Sequence, residues 1–100
     1  QPKKDPILCS CIKYLKSLGF DVGGSDAKDL QPNAFQPNHG DIALFYYAKN
    51  NTHHAAYVKW VFTPRAFYIQ ETNFKRCQYS ERVIFSDDPF LIGFIHKIEN

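Results

Sequence analysis

The stretch from His54 to Asn73 constrains the fold more than any other, because it has the two-residue periodicity of two β-strands joined by a short turn. Alternate residues of the first strand share one face, which we predict to be buried: His54, Ala56, Val58, Trp60 and Phe62. The corresponding face of the second strand carries Phe67, Ile69, Glu71 and Asn73. Residues 63–65 supply the turn, so the strands fold back on each other and His54 lies opposite the end that carries Glu71 and Asn73.

Three polar side chains are therefore predicted to meet at the rim of this apolar face. A carboxylate or a carboxamide beside a histidine orients the imidazole ring and changes its pKa. His54 is thus a candidate general base, and Glu71 and Asn73 are candidates for the group that orients it. Taken singly, each residue type more often has a structural role, such as a solvated glutamate or an asparagine that stabilises a turn.

Composition restricts the class of protein. One hundred residues with 44% apolar and 16% aromatic content predict a single domain, 1–100, that buries its own core. The net charge of +2 comes from interspersed charges rather than a basic run, so we expect no nucleic-acid partner. No apolar stretch approaches the roughly 18 residues of a membrane span, and no signal-peptide pattern opens the chain. We therefore expect a soluble protein. Because the chain starts at Gln1 and lacks Met, we also expect it to be a processed product or an excised domain.

The N-terminal part of the chain predicts one helix. An apolar-periodic segment ends at Leu18, and Gly19 follows it as a C-terminal cap. Two starts are open: Pro6 as the first helical residue after Asp5, or Ser10 as a cap closer in. We favour a start near Ser10.

The three cysteines, Cys9, Cys11 and Cys77, leave at least one free thiol because their number is odd. Cys9 and Cys11 are too close in sequence to bridge each other easily, and we expect a reduced protein. Helical steps of four and seven residues from Cys11 reach the apolar positions 15 and 18, whereas the same steps from Cys9 reach lysines at 13 and 16. We therefore expect Cys9 to be a solvent-side thiol and Cys11 to face inward in the first helical turn, where backbone N–H groups and the helix dipole favour a thiolate.

The rest of the chain completes an α+β layout. Residues 20–40 are predicted to be a loop-rich connection that contains a short helix from Ser25 to Leu30. Residues 41–47 are apolar on both faces, as expected for a strand in the middle of a sheet, and further strands are predicted over 80–85 and 90–96. An N-terminal helix packed on an antiparallel sheet of five or six strands is the predicted architecture.

An ordered set of short motifs resembles the CHAP domain, a cysteine, histidine-dependent amidohydrolase and peptidase of the papain-like, NlpC-like fold group. The motifs are Cys11-Ile12-Lys13-Tyr14-Leu15, Gly40-Asp41-Ile42-Ala43-Leu44-Phe45, His54-Ala55-Ala56-Tyr57-Val58, Glu71-Thr72-Asn73-Phe74 and Ile92-Gly93-Phe94-Ile95-His96. The resemblance covers nearly the whole chain. It implies Cys11 as nucleophile, His54 as general base, Glu71 as the residue that orients it, and Asn73 as a further polar site residue.

The resemblance also implies a substrate. CHAP domains cleave amide bonds of bacterial peptidoglycan, either between muramic acid and L-alanine or within the stem or cross-bridge peptide, in phage lysins, autolysins and secreted antibacterial effectors. The acidic calcium-binding loop that precedes the nucleophile in some phage members is absent here, so we predict no metal and no cofactor. The site of action would then be the bacterial cell wall.

Three other functions compete with this prediction. One is a catalytically inactive module of the same fold that binds cell-wall or peptide ligands. The second is a zinc site, whose possible ligands are Cys9, Cys11, His53, His54 and Cys77, although Cys-x-Cys and His-His do not have the usual spacing. The third is a single-stranded nucleic-acid binder that uses Tyr and Phe residues of the sheet with Lys75 and Arg76.

Overall fold

The computed structural model describes residues 6–20 and 30–96, which form one short α-helix and a five-stranded antiparallel sheet. The elements are a 3-10 turn Pro6–Cys9, α1 Cys11–Ser17, β1 Ile42–Tyr47, β2 Thr52–Thr63, β3 Ala66–Thr72, β4 Tyr79–Phe85 and β5 Leu91–Ile95. The predicted α+β class is confirmed. The helix predicted from Ser25 lies outside the described residues except for Leu30. Neither helical segment within the described ranges has the length and apolar character needed to cross a bilayer.

The sheet has the order β4-β3-β2-β1-β5, so β1, β2 and β3 are interior strands. Consecutive strands from β1 to β4 pair as antiparallel hairpins, and β5 returns to the free side of β1. The residues of β1 are apolar on both faces because each face packs into a hydrophobic cluster, Ile42 and Leu44 on one side and Ala43 and Phe45 on the other. The hairpin predicted between His54 and Asn73 is confirmed as the β2–β3 pair, with Tyr57 opposite Gln70 and Val58 opposite Ile69.

Helix α1 begins where Ser10 caps it. The Ser10 hydroxyl accepts a hydrogen bond from the Lys13 N–H at 3.2 Å, which confirms the favoured start. Ile12 and Leu15 are the buried residues of the helix. The chain leaves the helix at Gly19, whose φ of +97° is one that other residues rarely adopt.

Apolar residues pack on both faces of the sheet. The cluster on the helix side consists of Ile12, Leu15, Leu30, Ile42, Leu44 and Ala55. The cluster on the other side consists of Ala43, Phe45, Ala56, Val58, Phe67, Ile69, Ile84 and Phe94. His54, Phe45 and Glu71 therefore share the face that points away from the helix.

The predicted burial of Trp60 and Phe62 is wrong. Their exposed fractions are 55% and 59%, whereas Val61, which the same alternation puts on the outer face, is partly buried against the core. The pairing of β2 with β3 shifts register between Val58 and Trp60, and again between Val61 and Thr63. An extra residue in one strand inverts the alternation beyond it, so the period-two rule holds from His54 only as far as Val58.

The prediction of a reduced chain is also wrong. Cys9 and Cys77 form a disulfide with a Cα–Cα distance of 4.0 Å, and Cys11 is the free cysteine of the described chain. Cys9 lies in the 3-10 turn before α1, so α-helical steps did not apply to it. The loop after β3 brings Cys77 next to Cys9, and this approach depends on the tertiary fold rather than on spacing in the sequence.

Candidate active site

Three predicted residues come together at the end of the sheet where α1 begins. Cys11 is the first residue of α1, His54 lies near the start of β2, and Glu71 lies near the end of β3. The Thr72 hydroxyl donates a hydrogen bond to the Ser10 carbonyl at 3.1 Å, which ties the start of the helix to β3. This contact sets Cys11 beside the strand ends.

The β2–β3 register places His54 and Glu71 on one face. Because Val58 is opposite Ile69, Glu71 is opposite residue 56 and diagonal to His54, within reach of a long side chain. The His54 Nε2 and the Glu71 Oε1 are 2.7 Å apart. His54 is 5% exposed and Glu71 is fully buried, so the contact is shielded from water. The rings of Phe45 and Phe74 lie about the imidazole, with centroids 5.9 Å and 6.0 Å from it.

His54 contacts both Cys11 and Glu71. Burial lowers the pKa of His54, but hydrogen bonds to Cys11 and Glu71 and the charges of those two groups outweigh burial and raise it above its ordinary value. Since Nε2 is engaged by Glu71, Nδ1 is the ring nitrogen left to face Cys11.

Glu71 is ionised despite its burial. Burial raises the pKa of the carboxyl group, but hydrogen bonds from His54 and Arg82, together with their charges, lower it below its ordinary value. The carboxylate also accepts a hydrogen bond from the Ser80 hydroxyl at 3.2 Å. None of the buried side-chain nitrogen and oxygen atoms within 6–20 and 30–96 lacks a hydrogen-bond partner.

Arg82 is a site residue that sequence reasoning missed. Its Nε lies 2.5 Å from Glu71 Oε2 and its Nη2 lies 3.0 Å from Glu71 Oε1. Ser80 is directly opposite Glu71 in the β3–β4 ladder, and Arg82 follows two residues later on the same face. The period-two spacing of Ser80 and Arg82 was the available signal, but it became informative only with the β3–β4 register.

Asn73 has a turn-forming role in the loop after β3. Its φ is +64°, its side-chain oxygen accepts a hydrogen bond from the Cys77 N–H at 2.9 Å, and its own N–H donates to the Gln78 carbonyl at 2.9 Å. Asparagine tolerates this left-handed conformation better than most residues. Asn73 also borders the cavity described next, but it is Glu71 that contacts His54.

A cavity of about 290 Å³ opens at this end of the sheet. The residues that line it are Cys11, Tyr47, Asn50, Thr52, His53, His54, Asn73 and Phe74. The thiol and the imidazole therefore face one space. Among the residues that the structure describes, no Lys, Arg, Asp or Glu lines the cavity, so this part of the lining suits an uncharged stretch of a ligand such as a peptide amide.

The potential zinc ligands do not form a metal centre. Cys9 and Cys77 are joined to each other and are not available as thiolates. Among the residues that the structure describes, no three His, Cys, Asp or Glu side chains are grouped so that they could hold a metal ion.

Comparisons with protein-family models, with curated proteins and with solved structures found no match for this chain. The resemblance to the CHAP domain therefore stays a prediction from the motifs.

Proposed function

We propose that the chain is a cysteine-dependent amide hydrolase of the papain-like, CHAP type. The observation that carries this proposal is the convergence of Cys11, His54 and Glu71, which lie far apart in the sequence, at one end of the sheet. A thiol, an imidazole and a carboxylate in series are the parts that nucleophilic acyl transfer requires. The thiol and imidazole open onto a cavity, where a substrate can reach them.

The arrangement of elements also supports this type of enzyme. The nucleophile stands at the start of a helix that packs on an antiparallel sheet, and the sheet carries the base and the residue that orients it. This is the arrangement that the resemblance implies. Because likeness of fold alone does not define activity, the proposal rests on the side-chain contacts rather than on the layout.

The reaction begins with transfer of the Cys11 thiol proton to His54. The thiolate attacks the carbonyl carbon of the substrate amide, and the carbonyl oxygen takes up the negative charge. The Cys11 N–H and one further donor bind that oxygen. The His54 imidazolium then gives its proton to the leaving amine as the C–N bond breaks, which leaves a thioacyl enzyme.

Water completes the cycle. His54 removes a proton from a water molecule, the resulting hydroxide attacks the thioester carbonyl, and the C–S bond breaks to release a carboxylic acid. The proton on His54 returns to the Cys11 sulfur. Throughout, the ionised Glu71 holds Nε2 and keeps Nδ1 directed at the thiol.

We further propose that the substrate is bacterial peptidoglycan, cleaved at the muramoyl-L-alanine bond or within its peptides. The motifs that resemble the CHAP domain are the basis for this choice. The polar amide, hydroxyl and aromatic groups among the described lining residues, such as Asn50, Thr52 and Tyr47, suit a peptide backbone or an acetamido group, both of which offer amide donors and acceptors. The Cys9–Cys77 disulfide is typical of proteins in oxidising compartments, which fits action at a cell wall.

The test measures amino groups released from purified peptidoglycan. Wild-type protein should release them, and Cys11→Ser and His54→Ala should each lower the rate by about a thousandfold or more, because both groups act in one unit. His39→Ala is the matched histidine control, since His39 stacks on Trp60, away from the cavity. Mass spectrometry of the released fragments identifies which amide is cut.

The inactive binding module is the competing outcome. It predicts that the protein sediments with peptidoglycan but releases no amino groups. It also predicts that iodoacetamide labels Cys11 equally fast in wild type and in His54→Ala. A rate that falls in the histidine variant at fixed pH supports the paired thiol instead.

A further inference from the structure

Arg82 is the guanidinium that neutralises Glu71, and none of the reaction steps above uses it. Two of its nitrogens contact the two carboxylate oxygens of Glu71, at 2.5 Å and 3.0 Å. Its side chain is 27% exposed, and Glu71 is fully buried. A fork of parallel hydrogen bonds of this kind fixes both the position and the rotation of a carboxylate.

The two cationic partners of Glu71 share one oxygen. Oε1 accepts from His54 Nε2 at 2.7 Å and from Arg82 Nη2 at 3.0 Å, while Oε2 accepts from Arg82 Nε and Ser80. Because arginine is always protonated, it keeps Glu71 ionised whether or not His54 carries a proton. Without Arg82, no arginine charge would offset the Glu71 carboxylate, and Glu71 would stabilise the His54 imidazolium more strongly.

The same guanidinium supports a wall of the cavity. The Arg82 Cζ lies 3.6 Å from the centroid of the Phe74 ring, and Tyr47 hydrogen bonds to Arg82. Phe74 and Tyr47 both line the cavity. A stacked guanidinium holds an aromatic ring through cation–π attraction and contact area, which lysine provides less well.

We propose that Arg82 is a positioning residue that fixes Glu71, in its ionised form, with Oε1 on His54 Nε2, and that it offsets part of the negative charge Glu71 presents to the imidazole. This inference rests on the proposed function only in taking His54 as the base. The ionisable groups that face His54 are Cys11 from α1 and Glu71 from β3, with Arg82 of β4 behind Glu71 and Tyr47 of β1 on Arg82. Arg82 is the positive charge of this set.

The test is an NMR titration of the His54 ring in the full chain, with its signal assigned by its loss in His54→Ala. Arg82→Gln should raise the midpoint of His54 by about one pH unit, a tenfold gain in proton affinity, because a positive charge near the imidazolium is removed. Arg82→Lys keeps the charge and should stay within about half a unit of wild type. Ser80→Ala removes a neutral contact to Glu71 and serves as the control.

An unchanged or lowered midpoint in folded Arg82→Gln overturns the inference. If that variant does not fold, the single variant Glu71→Gln is compared with the double variant Glu71→Gln/Arg82→Gln. The double variant should fold, because a protein tolerates the loss of both charges of a buried pair better than the loss of one. Adding the arginine change must again raise the midpoint of His54. No rise in this comparison also overturns the inference.

The titration separates this inference from the proposed function. If Arg82→Gln raises the titration midpoint of His54 but the wild-type chain hydrolyses no amide, the role of Arg82 stands and the proposed enzymatic function is refuted. If the chain hydrolyses amides but the midpoint does not move, the proposed function stands and the role of Arg82 is refuted. In an active enzyme, the limb of the pH–rate profile that reports His54 should move to higher pH in Arg82→Gln, by the same amount as the NMR midpoint of His54. The substitution should also lower kcat by a larger factor than it raises KM.

Discussion

Removal of the Cys9–Cys77 disulfide should lower the free energy of unfolding by about 4 kcal/mol. The bridge joins residues 68 apart in the sequence, and closing a loop of that size removes roughly 15 cal/mol/K of entropy from the unfolded chain. At 25 °C this entropy corresponds to about 4 kcal/mol. For a chain of this length, such a loss lowers the Tm by about 20 °C.

The assay is urea unfolding of wild type and of the double variant Cys9→Ser/Cys77→Ser. Cys11→Ser is the matched control, because it removes one sulfur and leaves the bridge intact. Alkylation in denaturant without reductant counts the free thiols of wild type, and we expect one, at Cys11. Three labelled cysteines in protein prepared under oxidising conditions, or equal stability of the double variant and wild type, would refute the reasoning.

The same double variant tests what the bridge does for the site. The disulfide ties the segment just before Cys11 to the loop that carries Asn73 and Phe74. The hydrogen bond from the Thr72 hydroxyl to the Ser10 carbonyl involves neither cysteine, so it can hold the start of α1 without the bridge. We therefore expect Cys11 to keep most of its reactivity at temperatures where the variant is folded. Loss of reactivity equal to that of His54→Ala would show that the bridge, rather than this hydrogen bond, places the Cys11 thiol beside His54.

Three further predictions concern charged groups. Glu71→Gln should destabilise the fold by about 3–5 kcal/mol in urea unfolding, because it leaves a partly buried guanidinium without its counter-charge. The pKa of His54 is raised by folding, so its contribution to stability is complete below about pH 6.5 and is lost as the pH rises through the pKa of the folded state. The pKa of Glu71 is lowered by folding, so its contribution is complete above about pH 4.5 and is lost as the pH falls. The free energies of unfolding of wild type and His54→Ala should thus differ most between about pH 4.5 and 6.5. A difference that grows above about pH 6.5 would contradict this prediction. Asp41→Ala should lower the free energy of unfolding by about 1–3 kcal/mol, because Asp41 is buried and hydrogen bonds to His96 at 2.6 Å. The rate at which Cys11 is alkylated should stay unchanged, because Asp41 adjoins the start of β1 and the cavity lies at the end of that strand.

The meeting of His54 and Glu71 could be predicted because it depends on simple rules. A short turn sets an antiparallel hairpin, and period-two alternation then fixes which side chains share a face. The rule failed at Trp60 for a reason the sequence does not display: a register shift after Val58 comes from the pairing of two strands, not from the residues of one. His54 and Glu71 pair on the side of the shift that includes Val58, where the alternation still holds, so their predicted contact is confirmed.

The remaining features of the site required the tertiary structure. Arg82 reaches Glu71 only through the β3–β4 register, and Cys77 reaches Cys9 only because the loop after β3 returns to the start of α1. For Asn73, a site role and a turn role fitted the sequence equally well; the hydrogen bond from the Cys77 N–H to its side chain shows the turn role, and Asn73 also borders the cavity. Long-range pairing, rather than any local pattern, decides each of these contacts.

A fully buried carboxylate at position 71 is difficult to explain by stability alone. Ile69 and Phe67 occupy the same face of β3, and an apolar residue in place of a buried ion pair is often neutral or stabilising. Glu71 instead holds a histidine whose other ring nitrogen faces a thiol at a cavity. A network that served only packing would gain nothing from ending at a free cysteine and an opening, whereas a base that must be oriented and kept near its thiol requires both. Under the proposed function, chemistry at Cys11 explains the cost of burying this charge, which packing alone does not.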